Sequence, residues 1–279
     1  MNTTRLPLLI EPEHLATILD QPDIVIVDLC KAETYAQAHI PGALHLDYQH
    51  IVWSRPPVMG LIPDLAHLSA LLSQTGIAPD SHLIVYDDEG GGKAARFIYT
   101  LDVIGHNHYS LVNGGLHAWA NEGYELQSSV NLLPVTSYQA AINDQPIATK
   151  TYILEHLNNS SIQLLDARSP AEYIGRKKFA EKAGHIPGAI NIDWTLLMDK
   201  QRNLRLKPIN ELQQLLNDHH ISRDKATIVY CQTHHRSALT YFVLKLMDYS
   251  NVKGYPGSWS EWGNSSDTPV ETEQQLEIN

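Results

Sequence analysis

The sequence predicts an α/β protein of two tandem domains, each a mainly parallel sheet flanked by helices. Three observations lead there. Short β-branched runs alternate with stretches of helical periodicity, the pattern of strand–helix–strand units. The chain repeats itself at long range, and its 279 residues suffice for two cores of ordinary size. A repeat this long implies duplicated domains, because solenoid units are far shorter.

In the first half, strands are expected near Val25 to Asp28, Leu83 to Asp87 and Tyr109 to Val112, with helices near Leu65 to Gln74 and Ala94 to Ile104. In the second half, Ile162 to Asp166, Thr227 to Tyr230 and Val252 to Tyr255 read as strands. Thr151 to Leu157, Glu211 to His219 and Ser237 to Met247 read as helices. Periodicity fades between them, where Pro134, Asn143-Asp144 and Pro146 interrupt the chain. The expected division is a first domain over 1–126, a linker over 127–148 and a second domain over 149–279.

The two halves match in detail. Ile24-Val25-Ile26-Val27-Asp28, Glu33-Thr34-Tyr35 and His39-Ile40-Pro41-Gly42-Ala43 correspond to Ile162-Gln163-Leu164-Leu165-Asp166, Ala171-Glu172-Tyr173 and His185-Ile186-Pro187-Gly188-Ala189. The second copy carries an extra stretch around Gly175 to Lys182. Both His-Ile-Pro-Gly-Ala segments read as turns entering a strand, with proline and glycine fixing the backbone. Trp119, Trp259 and Trp262 read as packing anchors, and Asp28 and Asp166 as loop caps.

A formal net charge of −11 argues against nucleic acid and anionic membranes as partners, since either needs a basic face. No run of about 20 apolar residues is present, so no membrane span is expected. Met1 to Ile10 holds one positive charge and an apolar stretch too short for a secretory leader, which points to the cytoplasm. Two cysteines, Cys30 and Cys231, form no disulfide framework. Cys30 follows a core strand and reads as structural.

Cys231 is the most informative residue. A β-rich run, Ala226-Thr227-Ile228-Val229-Tyr230, delivers it into the polar loop Gln232-Thr233-His234-His235-Arg236-Ser237, and a helical stretch follows at once. One reading is an inert thiol filling space at the end of a core strand. The other is an activated thiolate, favoured by loop N–H groups, the positive end of the next helix and the Arg236 guanidinium. Aligning the copies places Asp87 at the position of Cys231, flanked by Asp88 and Glu89. A carboxylate is no sulfur nucleophile, so the first domain reads as chemically silent, packing on the second and helping to wall a cleft.

These residues resemble the two-domain rhodaneses, the thiosulfate or 3-mercaptopyruvate sulfurtransferases. Tyr35-Ala36-Gln37-Ala38-His39-Ile40-Pro41-Gly42-Ala43 resembles the family's amino-terminal signature and Gly257-Ser258-Trp259-Ser260-Glu261-Trp262 its carboxyl-terminal one. The likeness covers essentially the whole chain, and the loop Cys231-Gln232-Thr233-His234-His235-Arg236 is similar to that of an Azotobacter-type bacterial subgroup. Glu172 departs from the pattern, standing where many vertebrate relatives have a substrate-binding arginine.

The resemblance implies tandem rhodanese-like domains and double displacement through a persulfide on Cys231. The donor would be thiosulfate or mercaptopyruvate and the acceptor cyanide, a thiol or a protein, with no cofactor and no metal. The N–H groups from Gln232 to Ser237, Thr233 among them, would hold the terminal sulfur. Arg236 either binds the donor anion or stiffens the loop through a salt bridge. His234 and His235 are either solvated loop residues or, with one charged, a source of positive potential. Trp194, which has a place in the active half alone, is a candidate for lining the cleft.

Two rival readings stay open. One is a sulfur carrier loaded by a partner such as a cysteine desulfurase, which would use the same thiol. The other is a cysteine phosphatase, whose loop is one residue longer than the five-position step from Cys231 to Arg236.

Overall fold

The computed structural model describes residues 6–272, so Met1 to Arg5, part of the leader reading, lie outside the described residues. The chain forms two compact units. One comprises Met1–Ile51, Pro63–Asn143 and Met198–Leu206; the other comprises Val52–Ile62, Asp144–Leu197 and Lys207–Asn279. The division is therefore not a single cut, since each half of the sequence contributes one short hairpin to the opposite unit.

In the first unit, five parallel strands lie in the order Leu9–Ile10, Tyr109–Val112, His82–Tyr86, Ile24–Asp28 and Leu44–His45. In the second, four parallel strands run in the order Val252–Gly254, Ala226–Tyr230, Ile162–Asp166 and Ile190–Asn191. The central strands are buried on both faces, so they read as continuous Ile, Leu and Val runs rather than alternating ones. The expected helices form as Leu65–Gln74, Gly92–Val103, Lys150–His156, Ile209–Asp218 and Arg236–Leu246.

Within the units the duplication extends to single hydrogen bonds. The Tyr86 hydroxyl accepts from Ile40 N–H at 3.1 Å, and the Tyr230 hydroxyl accepts from Ile186 N–H at 3.1 Å. The Trp119 and Trp262 indoles each donate to a backbone carbonyl at 2.7 Å, and both rings are buried. Asp28 accepts from Cys30 N–H and Asp166 from Arg168 N–H, the loop caps expected of them. Gly42 and Gly188 have φ of +77° and +73°, the left-handed turn that hands the chain to the next strand.

The loops after the matching strands His82–Tyr86 and Ala226–Tyr230 differ in what they enclose. In the first unit, the Asp87 carboxylate accepts from the N–H groups of Glu89 at 2.9 Å, Gly91 at 2.8 Å and Ala94 at 2.9 Å. The side chain thus fills its own cradle. Burial, with the charge of Glu89 second, pushes the Asp87 carboxyl up, and the three donors oppose that. Asp87→Ala should leave three buried donors without this acceptor and cost about 3 kcal/mol of stability, read from urea unfolding. A loss below about 0.5 kcal/mol would show that the cradle needs no occupant.

Candidate active site

The second unit builds the corresponding cradle around a thiol. Cys231 follows the strand Ala226–Tyr230 and precedes the helix Arg236–Leu246, at the carboxyl edge of a parallel sheet. It is 1% exposed. Its N–H donates to the Ser258 hydroxyl at 3.3 Å, and its carbonyl accepts from Trp259 N–H at 2.9 Å. The sulfur accepts from the Ser237 hydroxyl and from the N–H groups of Ser237 and Thr233.

Burial, the largest influence, disfavours the thiolate. The Arg236 charge, the Ser237 hydroxyl and the two N–H groups outweigh it, and the thiol is held below its ordinary range. Cys30 behaves oppositely: burial pushes its thiol up, and the charge of Asp28 adds to the rise. The two thiols therefore sit in environments that act in opposite directions, one favouring the thiolate and one opposing it.

His234 is fully buried, so the solvated alternative does not hold for it. Its φ of +54° is a left-handed conformation in which histidine is enriched among non-glycine residues. Its Nδ1 lies 2.8 Å from the Ser237 hydroxyl oxygen. Since that hydroxyl donates to the sulfur, Nδ1 carries the hydrogen and donates to the oxygen, a tautomer assigned from the bonding pattern. His235 is half-buried and faces Trp194, with ring centroids 5.9 Å apart. The Gln232 amide donates to the Phe179 carbonyl at 3.1 Å, away from the sulfur.

Arg236 makes a two-pronged ion pair. Its Nη1 and Nη2 donate to the two oxygens of Glu172, each at 2.8 Å. Glu172 sits at the first turn of the short helix Pro170–Tyr173, where it also accepts from the Ser169 hydroxyl at 2.7 Å. Burial opposes its charge, but Arg236 and Ser169 hold the carboxyl down at about 2. The position that departs from the vertebrate pattern thus fixes the loop's own guanidinium.

Three supports escaped the sequence reading. Arg168 is 1% exposed, pairs with Asp166 at 2.6 Å and lies 4.3 Å from the Trp259 ring centroid. Its signal was present in the repeat, because Cys30 occupies the same step after Asp28. Ser258 has a φ of +50° and orients its hydroxyl to Cys231 while donating to the Tyr255 carbonyl at 2.7 Å. Gly60, with φ of +76°, passes so near Thr233 that an added Cβ would meet that carbonyl oxygen at 2.0 Å. Among the described residues no group of three or more His, Cys, Asp or Glu side chains is placed to hold a metal ion. No helix among them is long and apolar enough to cross a membrane.

Comparison with known proteins places the chain among its relatives. The rhodanese-like domain family matches residues 11–122 and again 149–265. A thiosulfate sulfurtransferase of Pseudomonas aeruginosa is 48% identical over 266 residues, covering 95% of this chain and 97% of that protein. A thiosulfate sulfurtransferase of Azotobacter vinelandii is 45% identical over 266 residues, with the same coverage of 95% and 97%. The crystal structure of an Escherichia coli 3-mercaptopyruvate sulfotransferase superposes with a TM-score of 0.82 at 29% identity, covering 91% of this chain and 99% of that one. With two matched domains spanning most of its length, the chain belongs to the two-domain rhodanese family.

Proposed function

We propose that the protein is a thiosulfate sulfurtransferase acting through a persulfide on Cys231, with the first domain catalytically silent. The observation behind this reading is the place of Cys231 on the loop between the strand Ala226–Tyr230 and the helix Arg236–Leu246, where burial opposes the thiolate and Arg236, Ser237 and Thr233 favour it. Relatives named thiosulfate sulfurtransferase, 45% and 48% identical over 95% of the chain, favour thiosulfate as donor over mercaptopyruvate. The buried Asp87, which fills its own cradle, supports the silence of the first domain.

In the first step the Cys231 thiolate attacks the outer sulfur of thiosulfate. A new S–S bond forms, the old one breaks, and sulfite leaves with the electron pair. The loop N–H groups and Arg236 compensate the negative charge that the persulfide retains. In the second step cyanide or a thiolate attacks the outer sulfur, and Cys231 leaves as thiolate. Glu172 takes one N–H from each terminal nitrogen of Arg236, which fixes the guanidinium as a charge beside the sulfur. His234 holds the Ser237 hydroxyl turned toward the sulfur. Two cysteines, both free, suit the reducing cytoplasm.

Intact mass spectrometry tests the scheme. Thiosulfate should add one sulfur atom per chain, cyanide should remove it, and peptide mapping should place it on Cys231. A protein that turns over thiosulfate without a sulfur-bearing intermediate would overturn the double displacement.

A further inference from the structure

The catalytic copy bears a loop that the silent copy lacks. Both copies frame it identically: the His39 ring donates from Nδ1 to the Tyr35 carbonyl four residues back, and the His185 ring does so to the Tyr173 carbonyl twelve residues back. Each histidine also stacks on its tyrosine, with centroids 3.8 Å and 3.6 Å apart. The tyrosine hydroxyls donate to equivalent carbonyls, Ala43 and Ala189. The added residues are therefore not needed to build the domain.

Their composition opposes that of the chain. Arg176, Lys177, Lys178 and Lys182 stand against the single carboxylate of Glu181, in a protein whose net charge is −11. Residues 176–179 are all exposed, Phe179 at 53%, and the Lys177 ammonium lies 4.9 Å from the Phe179 ring centroid. The far end is anchored: Glu181 N–H donates to the Asn264 side chain at 2.9 Å, and the Lys182 ammonium to the Thr268 carbonyl at 2.6 Å. The exposed end is tied to the reactive loop, because Gln232, next to Cys231, donates to the Phe179 carbonyl at 3.1 Å.

We infer that residues 176–179 form a docking surface for an acidic protein that exchanges sulfane sulfur with Cys231. Exposed lysines are too well screened to hold a small anion, whereas several of them beside an exposed aromatic ring suit an acidic segment with an apolar side chain. The inference rests on the Cys231 persulfide proposed above. In the transfer, a partner thiolate attacks the outer persulfide sulfur, forms the new S–S bond and releases Cys231 as thiolate.

The test loads the full-length protein with thiosulfate and measures sulfur transfer to two cysteine peptides of equal length. One is glutamate-rich with a leucine beside the thiol; the other has lysine in place of glutamate. At low salt the acidic peptide should react about tenfold faster, and a Lys177→Glu/Lys178→Glu variant should reverse or abolish that preference. Phe179→Ala should slow the acidic peptide while keeping its salt dependence, and thiosulfate–cyanide turnover should stay within about twofold in both variants. Equal rates for the two peptides would overturn the inference. So would an equal loss of thiosulfate turnover, which would mean steering of small anions, or equal inhibition by a short oligonucleotide, which would mean generic polyanion binding. Failure of the unaltered protein to gain sulfur at all would count instead against the persulfide reading.

Discussion

A Cys231→Ser protein should fold normally, gain no sulfur from thiosulfate and lose at least about 10⁴-fold in thiocyanate formation. The hydroxyl is close to the thiol in shape and also accepts hydrogen bonds, so the N–H groups of Thr233 and Ser237 keep a partner. What disappears is the anion. The cradle lowers a thiol that already ionises near the physiological range, and the same cradle leaves a hydroxyl protonated. Cys30 cannot compensate, because burial and Asp28 push its thiol up. Thiocyanate formation and the urea midpoint should be measured together. Activity within about tenfold of the parent would sink the nucleophile assignment, and a large fall in midpoint would show that the substitution had damaged the loop itself.

The parts legible in the sequence were those decided locally. Ile228 and Val229 are buried strand residues, and the helix beginning at Arg236 buries Leu239, Phe242 and Val243, so apolar pattern and outcome coincide. The strand–thiol–helix geometry followed from those two elements alone. The long repeat aligns Asp87 with Cys231, and the structure shows the Asp87 carboxylate accepting three N–H groups of its own loop.

Features that depend on distant partners were hidden. Glu172 meets Arg236 across 64 positions, and no local pattern distinguishes that pairing from the ion pairs of a solvated surface. His234 looked like half of a polar His-His pair, yet a left-handed backbone turns its ring into the core, toward Ser237. Hairpin Trp53–Arg55 and Val58–Leu61 belongs to the opposite unit through contacts such as Met59 N–H to the Ser260 hydroxyl at 2.9 Å, across 201 positions. Repeat asymmetries would have flagged some of this. Arg168 against Cys30 is the plainest case, because the two copies differ in charge at the same step after a matched aspartate.

Replacing Arg236 and Glu172 should move the pH profile in opposite directions. Arg236 is the foremost favourable influence on the Cys231 thiolate, so Arg236→Ala should raise the thiol's pKa, shift the acid limb of kcat/KM to higher pH and lower its plateau by about 10²-fold. Glu172→Gln removes the negative partner and leaves the guanidinium uncompensated, which should shift the same limb to lower pH. The signs are separable because Glu172 itself does not titrate there. With its carboxyl held down at about 2, against an ordinary 4.5, the stabilisation from its ion pair is complete above about pH 4.5 and fades only as pH falls toward 2. The acid limb at higher pH therefore belongs to Cys231. If both variants shift the limb the same way, the pair acts by holding loop geometry rather than by charge. If neither shifts it, the limb reports a group other than this thiol, and Arg236 has no electrostatic part in activating it.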